Sequence, residues 1–283
     1  MNSTNIIKAI INLYSDPITE LKTSYVNNNR ANAMGDALEL YVKDIFSGTI
    51  SENDEEKRNI KYNKYFSYLG NKNNPPDAIL KSGDALEVKK IESKNNSLAL
   101  NSSYPKAKLY SNSTLISNSC RQCEKWDVKD IIYIVGVLKK DKLSSLCMVY
   151  GEDYAADSTV YERIKNTIKD GVTSIENIEF SESKELGHIN RVDPLGITYL
   201  RVRGMWGIEN PFKVFEYVYQ RDESNEFNFM AIINEEKYNG LEYTDKLEIM
   251  ASQNNNLSIK DIKIKNPNNP AILKNAKLIS FSI

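Results

Sequence analysis

Residues 71 to 91 run Asn71-Lys72-Asn73-Asn74-Pro75-Pro76-Asp77-Ala78-Ile79-Leu80-Lys81-Ser82-Gly83-Asp84-Ala85-Leu86-Glu87-Val88-Lys89-Lys90-Ile91, and their reading decides the fold. Asn71 to Pro76 is a cluster of chain breakers and must be a turn. Two short apolar runs follow, Asp77 to Lys81 and Ala85 to Ile91, joined at Ser82-Gly83-Asp84. Apolar runs linked by a tight glycine-containing turn predict a β-hairpin. Successive strand side chains alternate faces, so Glu87 and Lys89 share one face while Val88 turns to the core. The hairpin sets Asp77, at the start of the neighbouring strand, beside them. Asp84 and Lys90 are expected at the turn and on the outer face, with Glu92 in solvent.

Two carboxylates and one ammonium therefore meet at one end of a sheet. Pro76-Asp77 followed by Glu87-Val88-Lys89 matches the PD-(D/E)xK pattern. Carboxylates are hard oxygen ligands for Mg²⁺, which keeps waters and accepts a phosphate oxygen as a further ligand. Bound there, the ion polarises the phosphate and lowers the pKa of a water. Lys89 is placed to orient or deprotonate that water and to stabilise charge on the transition state. Asp77, Glu87 and Lys89 are thus the catalytic candidates, with Asp77 and Glu87 as metal ligands. Glu39, on the helix before the hairpin, is a candidate further ligand; the competing reading is a solvent-facing carboxylate. So short a pattern arises by chance in many proteins. Here the aspartate follows a breaker-rich turn, and charge inside the apolar strand Ala85 to Lys89 is costly unless paired or metal-bound.

Outward from the hairpin, Asn5 to Tyr25 is apolar at helical spacing with Pro17 as a break or kink. Met34, Ala37, Leu38, Tyr41, Val42 and Ile45 make a stripe of helical period within Ala33 to Phe46. Ser51 to Lys64 is a charged helix or loop. Ile131 to Leu138 and Leu146 to Tyr150 are expected core strands, Tyr154 to Lys169 a helix, and Ile197 to Val202 and Phe212 to Tyr219 further strands. From about Glu236 the chain shows little periodicity until Ile272 to Ile283. The expected fold class is α/β, a PD-(D/E)xK restriction-endonuclease-like fold with a mixed central sheet flanked by helices. One domain is expected over residues 1–283, with a catalytic core at about 30–150, recognition elements at about 185–220 and a C-terminal elaboration at about 222–283.

Composition narrows the chemistry. Lys and Arg number 37 against 38 Asp and Glu, so the net charge is −1 and any DNA surface must be a local basic patch. His188 is the single histidine, which excludes multi-histidine metal sites and leaves hydrolysis to carboxylates and lysine. Three cysteines, an odd number, argue for a reducing cytoplasm over a disulfide scaffold. Cys120-Arg121-Gln122-Cys123 lacks the second ligand pair a structural zinc site needs. No run of about 18 apolar residues spans a membrane, and the N-terminus lacks the features of a signal peptide. The abundance of Asn and Lys reflects an AT-rich genome and carries no assigned function. Trp126 and Trp206 are expected as packing anchors.

The catalytic stretch, together with Leu98-Ala99-Leu100-Asn101-Ser102-Ser103-Tyr104-Pro105-Lys106-Ala107-Lys108-Leu109, resembles the NgoPII-type restriction endonucleases. So do Asn29 to Asn32 with Met34 to Glu39, and Arg191-Val192-Asp193-Pro194-Leu195-Gly196-Ile197-Thr198-Tyr199-Leu200-Arg201-Val202-Arg203-Gly204-Met205-Trp206. These blocks span roughly residues 5 to 220; the tail beyond about Asp222 is not matched. The resemblance implies a type II enzyme that recognises GGCC, cuts between the central G and C to leave blunt ends, and works beside a methyltransferase protecting host DNA. Its catalytic residues fall on Asp77, Glu87 and Lys89 without substitution. A palindrome cut on both strands implies a two-fold homodimer on double-stranded DNA.

Arginine bidentate to guanine is the commonest specific contact, and Arg201 and Arg203, two apart on one strand, share a face with Arg191 nearby. Their alternative is pairing with Asp193 or Glu209. Ser102, Ser103, Tyr104, Lys106 and Lys108 suit phosphate contacts that fix register, against a solvated loop. Arg30 and Asn32 are weaker candidates. Two other functions stay open: a structure-selective repair or resolvase-type nuclease, and a DNA-binding module without cleavage.

Overall fold

The structure is a computed structural model that describes residues 3–26, 33–71, 73–176, 178–181, 183 and 185–283. The N-terminal half contains α1 (Ile6–Ser15), a π-helical turn (Lys22–Val26), α2 (Met34–Ser47), α3 (Glu55–Tyr65), β1 (Phe66–Tyr68), β2 (Ala78–Leu80), β3 (Ala85–Ile91), β4 (Leu98–Asn101), β5 (Lys108–Tyr110), α4 (Asn118–Arg121) and β6 (Val128–Lys139). There follow β7 (Lys142–Tyr150), α5 (Gly151–Tyr154), α6 (Ser158–Thr173), β8 (Glu179–Phe180), β9 (Gly187–Asn190), β10 (Leu200–Val202) and β11 (Trp206–Ile208). The chain closes with α7 (Pro211–Val214), β12 (Asn228–Asn234), α8 (Glu235–Asn239), α9 (Thr244–Gln253), β13 (Leu257–Asn266) and β14 (Asn269–Ser282).

Among the described residues the main sheet has nine strands, in the order β1-β2-β3-β6-β7-β12-β14-β13, with β5 added on β6. It is mixed: β3 runs parallel to β6 and β7 parallel to β12, whereas the other pairs are antiparallel. Strand alternation divides the core in two. Leu86, Val88, Ile132, Ile134 and Met148 face one side and pack against α1 and α2. Ala85, Ile91, Ile131, Tyr133, Val135 and Val149 face the other, beneath β4, Tyr154 and Phe215. α1 buries Ile6, Ile7, Ala9, Ile10, Ile11 and Leu13, each large aliphatic contributing roughly 1.5–3 kcal/mol. It stops at Ser15, just before Pro17, as expected.

The hairpin, α2, β6 and β7 follow the sequence reading. Phe212 to Tyr219 does not: Pro211 opens the short helix α7, capped by Asn210, whose Oδ1 accepts the Lys213 amide. Asn before Pro is a helix start, and it outweighs the β propensity of the aromatics. Only Leu200 to Val202 of the expected 197–202 strand pairs, with β9. Asp84 closes the turn, its carbonyl accepting the Leu80 amide at 2.9 Å, but its side chain is buried, accepting bonds from Tyr150 Oη at 2.8 Å and Lys237 Nζ at 3.0 Å. The tail is a long antiparallel hairpin, β13 with β14, where little order was expected.

Among the described residues, no helix is long and apolar enough to cross a membrane. The cysteines are free, Cys120 and Cys147 in the core. Burial pushes the Cys120 thiol up to about 12, away from the thiolate a zinc site uses. Trp126 and Trp206 pack against the second core, as expected.

Candidate active site

β2 and β3 pair with Ala78 opposite Leu86, and the Asp77 amide extends the ladder by donating to Leu86 O at 2.9 Å. Asp77 thereby lies beside Glu87. Its Oδ2 accepts the Val88 amide at 2.6 Å, fixing the carboxylate against the strand. The approach is close on the other side too. Gly70 lies in the left-handed region (φ 81°), and a Cβ there would sit 2.3 Å from Asp77 O.

Lys89 Nζ donates to Glu87 Oε1 at 2.6 Å, across one face of β3 as the alternation required. Glu87 Oε2 is buried with no hydrogen-bond partner. Burial, reinforced by the Glu87 charge and opposed by Lys89, pushes the Asp77 carboxyl up to about 7. For Lys89, burial pulls down, but Glu87 and Asp77 outweigh it and hold the ammonium above its ordinary value. Asp77 and Glu87 therefore repel each other across the hairpin, and one carboxylate oxygen is left without a partner.

Glu39 is half-buried on α2, and burial raises its carboxyl. The charges of Lys89 and Glu87 act on it, yet it does not converge with Asp77 and Glu87: among the described residues no three His, Cys, Asp or Glu groups gather as a cation cage. The pair opens on a cleft of about 280 Å³ walled by Asn71, Asn74, Asn101, Ser102, Ser103 and Leu115. Asn71 Oδ1 accepts the Asn73 and Asn74 amides at 2.9 Å, and Asn74 Nδ2 holds Leu115 O at 2.9 Å. The sequence marks these asparagines as a turn but gives them no place in the site. Their position inside the breaker turn that precedes Asp77 was the available signal.

The loop after β4 divides its candidates. Ser103 lines the cleft, and Lys106 Nζ donates to its Oγ. Burial draws the Lys106 ammonium down to about 8. Tyr104 Oη donates to Glu162 Oε1 at 2.7 Å and its ring stacks on Tyr161, so this side chain is committed to packing. Lys108 is neutralised by Asp130 at 2.7 Å and Glu152 at 3.2 Å. A wider groove of about 800 Å³ runs beside the cleft, between this loop, α6 and the tip of the β13–β14 hairpin at Asn266 and Asn268.

Arg201 and Arg203 do share one face, but the carboxylate they meet is Glu185, which sequence reasoning missed, and not Asp193 or Glu209. Arg201 Nε and Nη2 reach Glu185 at 2.8 and 2.5 Å, and Arg203 Nε at 2.5 Å. Chiefly through Arg201, the pair draws the Glu185 carboxyl down to about 2. Asp193 instead accepts the Leu195 and Thr198 amides of its own turn, and Glu209 pairs with Lys213. Arg191 lies 3.5 Å from Glu179. His188 pairs with Arg201 in register and packs on Tyr199. Arg30 and Asn32 lie outside the described residues.

The sequence profile of the NgoPII restriction endonuclease family matches residues 4–265, well past Asp222 where the recognised blocks stopped. Over 280 residues the chain is 59% identical to the type II restriction enzyme NgoPII of Neisseria gonorrhoeae, covering 99% of this chain and 100% of that protein. No solved structure matches the chain. With the likeness running nearly end to end, this chain belongs to the NgoPII restriction endonuclease family.

Proposed function

We propose that the chain is a type II restriction endonuclease whose active centre is Asp77, Glu87 and Lys89, on a PD-(D/E)xK fold. The observation that carries the reading is the pairing of Asp77 and Glu87 on one hairpin, with Glu87 Oε2 buried and unpartnered. Oxygen ligands, two in number and open to a cleft, suit Mg²⁺, which retains waters and takes substrate phosphate. Asp77 and Glu87 would hold the ion; bound, it supplies charge neutralisation at the phosphate and a more acidic water.

The remaining steps belong to the chain. Lys89 is fixed by Glu87 at the cleft, where its ammonium can orient the attacking water and stabilise charge that develops on the phosphate. Asp77, its Oδ2 held by the Val88 amide, lines the same cleft as Lys89. Water adds to phosphorus, the bond to the 3′ oxygen breaks, and the products are a 5′-phosphate and a 3′-hydroxyl. Family membership supports GGCC as the target and blunt ends. One active centre per chain and two strands to cut support a two-fold homodimer acting beside a protective methyltransferase. Arg201 and Arg203 remain the candidates for base or phosphate contact. Their pairing with Glu185 is exposed and worth little in water, so DNA can displace it. A single structural unit over residues 1–283 accords with the main sheet drawing strands from both ends of the chain.

The test is digestion of unmethylated DNA of known sequence with Mg²⁺ or with EDTA, followed by sequencing of the ends. Fragments ending within GGCC, formed only with the metal, are expected. Discrete ends at another sequence would discard the target, ends without a common sequence would favour a structure-selective nuclease, and no cutting with any divalent metal would leave a DNA-binding module. Lys89→Ala is expected to bind DNA much as the wild type does while cleavage falls roughly 10²–10⁴-fold. Cleavage at the wild-type rate in that variant would remove Lys89 from the centre.

A further inference from the structure

Lys106 and Lys108 lie two residues apart in one loop, yet their surroundings differ in kind. Lys108 is answered by two carboxylates, Asp130 and Glu152. Lys106 turns inward. Its amide donates to Tyr133 Oη at 2.8 Å, and Tyr133 is the residue paired with Glu87 across β3 and β6. Lys106 and Glu87 line one small cavity together with Ser103, Leu100 and Tyr133. The Lys106 ammonium reaches only neutral oxygens, Ser103 Oγ and Tyr104 O; among the described residues no carboxylate forms an ion pair with it. A half-buried ammonium matched by neutral acceptors alone gains from an anion that completes it.

Ser103 and Glu87 belong both to that cavity and to the cleft over Asp77 and Lys89, so Lys106 stands at the back wall of the same centre. Lys89 already spends one donor on Glu87 Oε1. We propose that Lys106 is a second ammonium of the active centre, binding a non-bridging oxygen of the scissile phosphate from the loop after β4 while Lys89 approaches from β3. This rests on the reading of Asp77, Glu87 and Lys89 as the catalytic core. Charge grows on the phosphate oxygens as water adds and the 3′ oxygen departs, and a cation already fixed in place lowers that barrier without reorganising. The loop is held for this task from below as well: a Cβ on Gly151 would sit 2.4 Å from Lys106 O and 2.6 Å from Ala107 O, so α5 begins against the Lys106 backbone.

The experiment compares wild type, Lys106→Met and Lys106→Arg on two duplexes, one unmodified and one with a neutral methylphosphonate at the scissile position. Binding is measured with Ca²⁺ and with EDTA, single-turnover cleavage with Mg²⁺, and thermal midpoints check folding. Lys106→Met should slow single-turnover cleavage at least 100-fold, and Lys106→Arg should recover at least a tenfold part of it. The ratio of dissociation constants for the two duplexes should differ about tenfold between wild type and Lys106→Met, the size expected of a hydrogen bond to a charged group. A ratio common to both proteins, or wild-type cleavage by Lys106→Met, overturns the proposal. A lowered thermal midpoint with no change in that ratio marks a structural lysine and also overturns it. Wild type that never cuts would instead defeat the underlying reading, whereas cutting abolished in Lys89→Ala with a common ratio defeats only this one.

Discussion

At the scale of single residues, the grouping of Asp77, Glu87 and Lys89 was legible because strand alternation is a rigid rule. Two positions apart means one face, so Glu87 and Lys89 could be paired from the sequence, and the hairpin supplied Asp77. Direction within a loop obeys no such rule. Lys106 and Lys108 looked alike until tertiary contacts turned one toward Glu87 and the other toward Asp130. Asp77 also shows what burying a carboxyl beside a like charge costs. Its folded pKa is raised, chiefly by burial and then by Glu87, to about 7. A raised carboxyl contributes stability that is fully present below its unfolded value of about 3.9 and is lost as pH rises through about 7. Asp77→Asn removes the ionisation and keeps an oxygen to accept the Val88 amide. The metal-free variant is expected to melt several degrees above wild type at pH 8, with a smaller gap at pH 5, while cleavage is abolished. Thermal midpoints at both pH values in EDTA check this; a variant that melts lower at pH 8 would contradict the repulsion inferred between Asp77 and Glu87.

At the scale of elements, what was read correctly had a strong local period and what was missed did not. β12 is buried along its whole length, and a short continuous apolar run carries no alternation by which to recognise it. β13 does alternate, in Ile262-Lys263-Ile264-Lys265, but within a polar, asparagine-rich tail that masked it. The error at 212–219 has a sharper cause, since the Asn210-Pro211 helix start was present in the sequence. Asn210 does more than cap α7. Fully buried, it donates from Nδ2 to Lys94 O and Asn96 O, both at 2.8 Å, tying the loop that follows β3 to α7. Asn210→Ala loses the cap and leaves two carbonyls unanswered. A loss of about 2–4 kcal/mol is expected from a cap of about 1 kcal/mol and groups left unsatisfied at about 1–3 kcal/mol. Urea denaturation checks it, and a change below 1 kcal/mol would mean water replaces the amide.

At the scale of the whole molecule, 37 basic and 38 acidic side chains leave no general attraction to DNA. The sequence showed this balance but not which charges are spent on one another. In the fold, Lys108, Lys237 and Lys274 are held by carboxylates of the interior network. Arg201 and Arg203 are held differently, exposed on and just beyond the small β8–β10 sheet, and among the described residues both are answered by Glu185. Among the described residues, one carboxylate therefore governs two cations. Glu185→Gln frees both without removing either, and each newly neutralised phosphate should steepen the fall of log binding constant against log salt by about 0.9. A slope steeper by about one to two is expected on random duplex, with tighter binding at low salt and a smaller ratio of specific to random affinity. Titrations of both duplexes across salt concentrations measure all three. If the slope is unchanged while specific affinity falls, Glu185 serves to aim the two guanidinium groups at base edges, and Arg201→Ala and Arg203→Ala should then each cost about 1–3 kcal/mol on the cognate site alone. If neither quantity moves, the small sheet stands away from the DNA and its arginines leave the candidate interface.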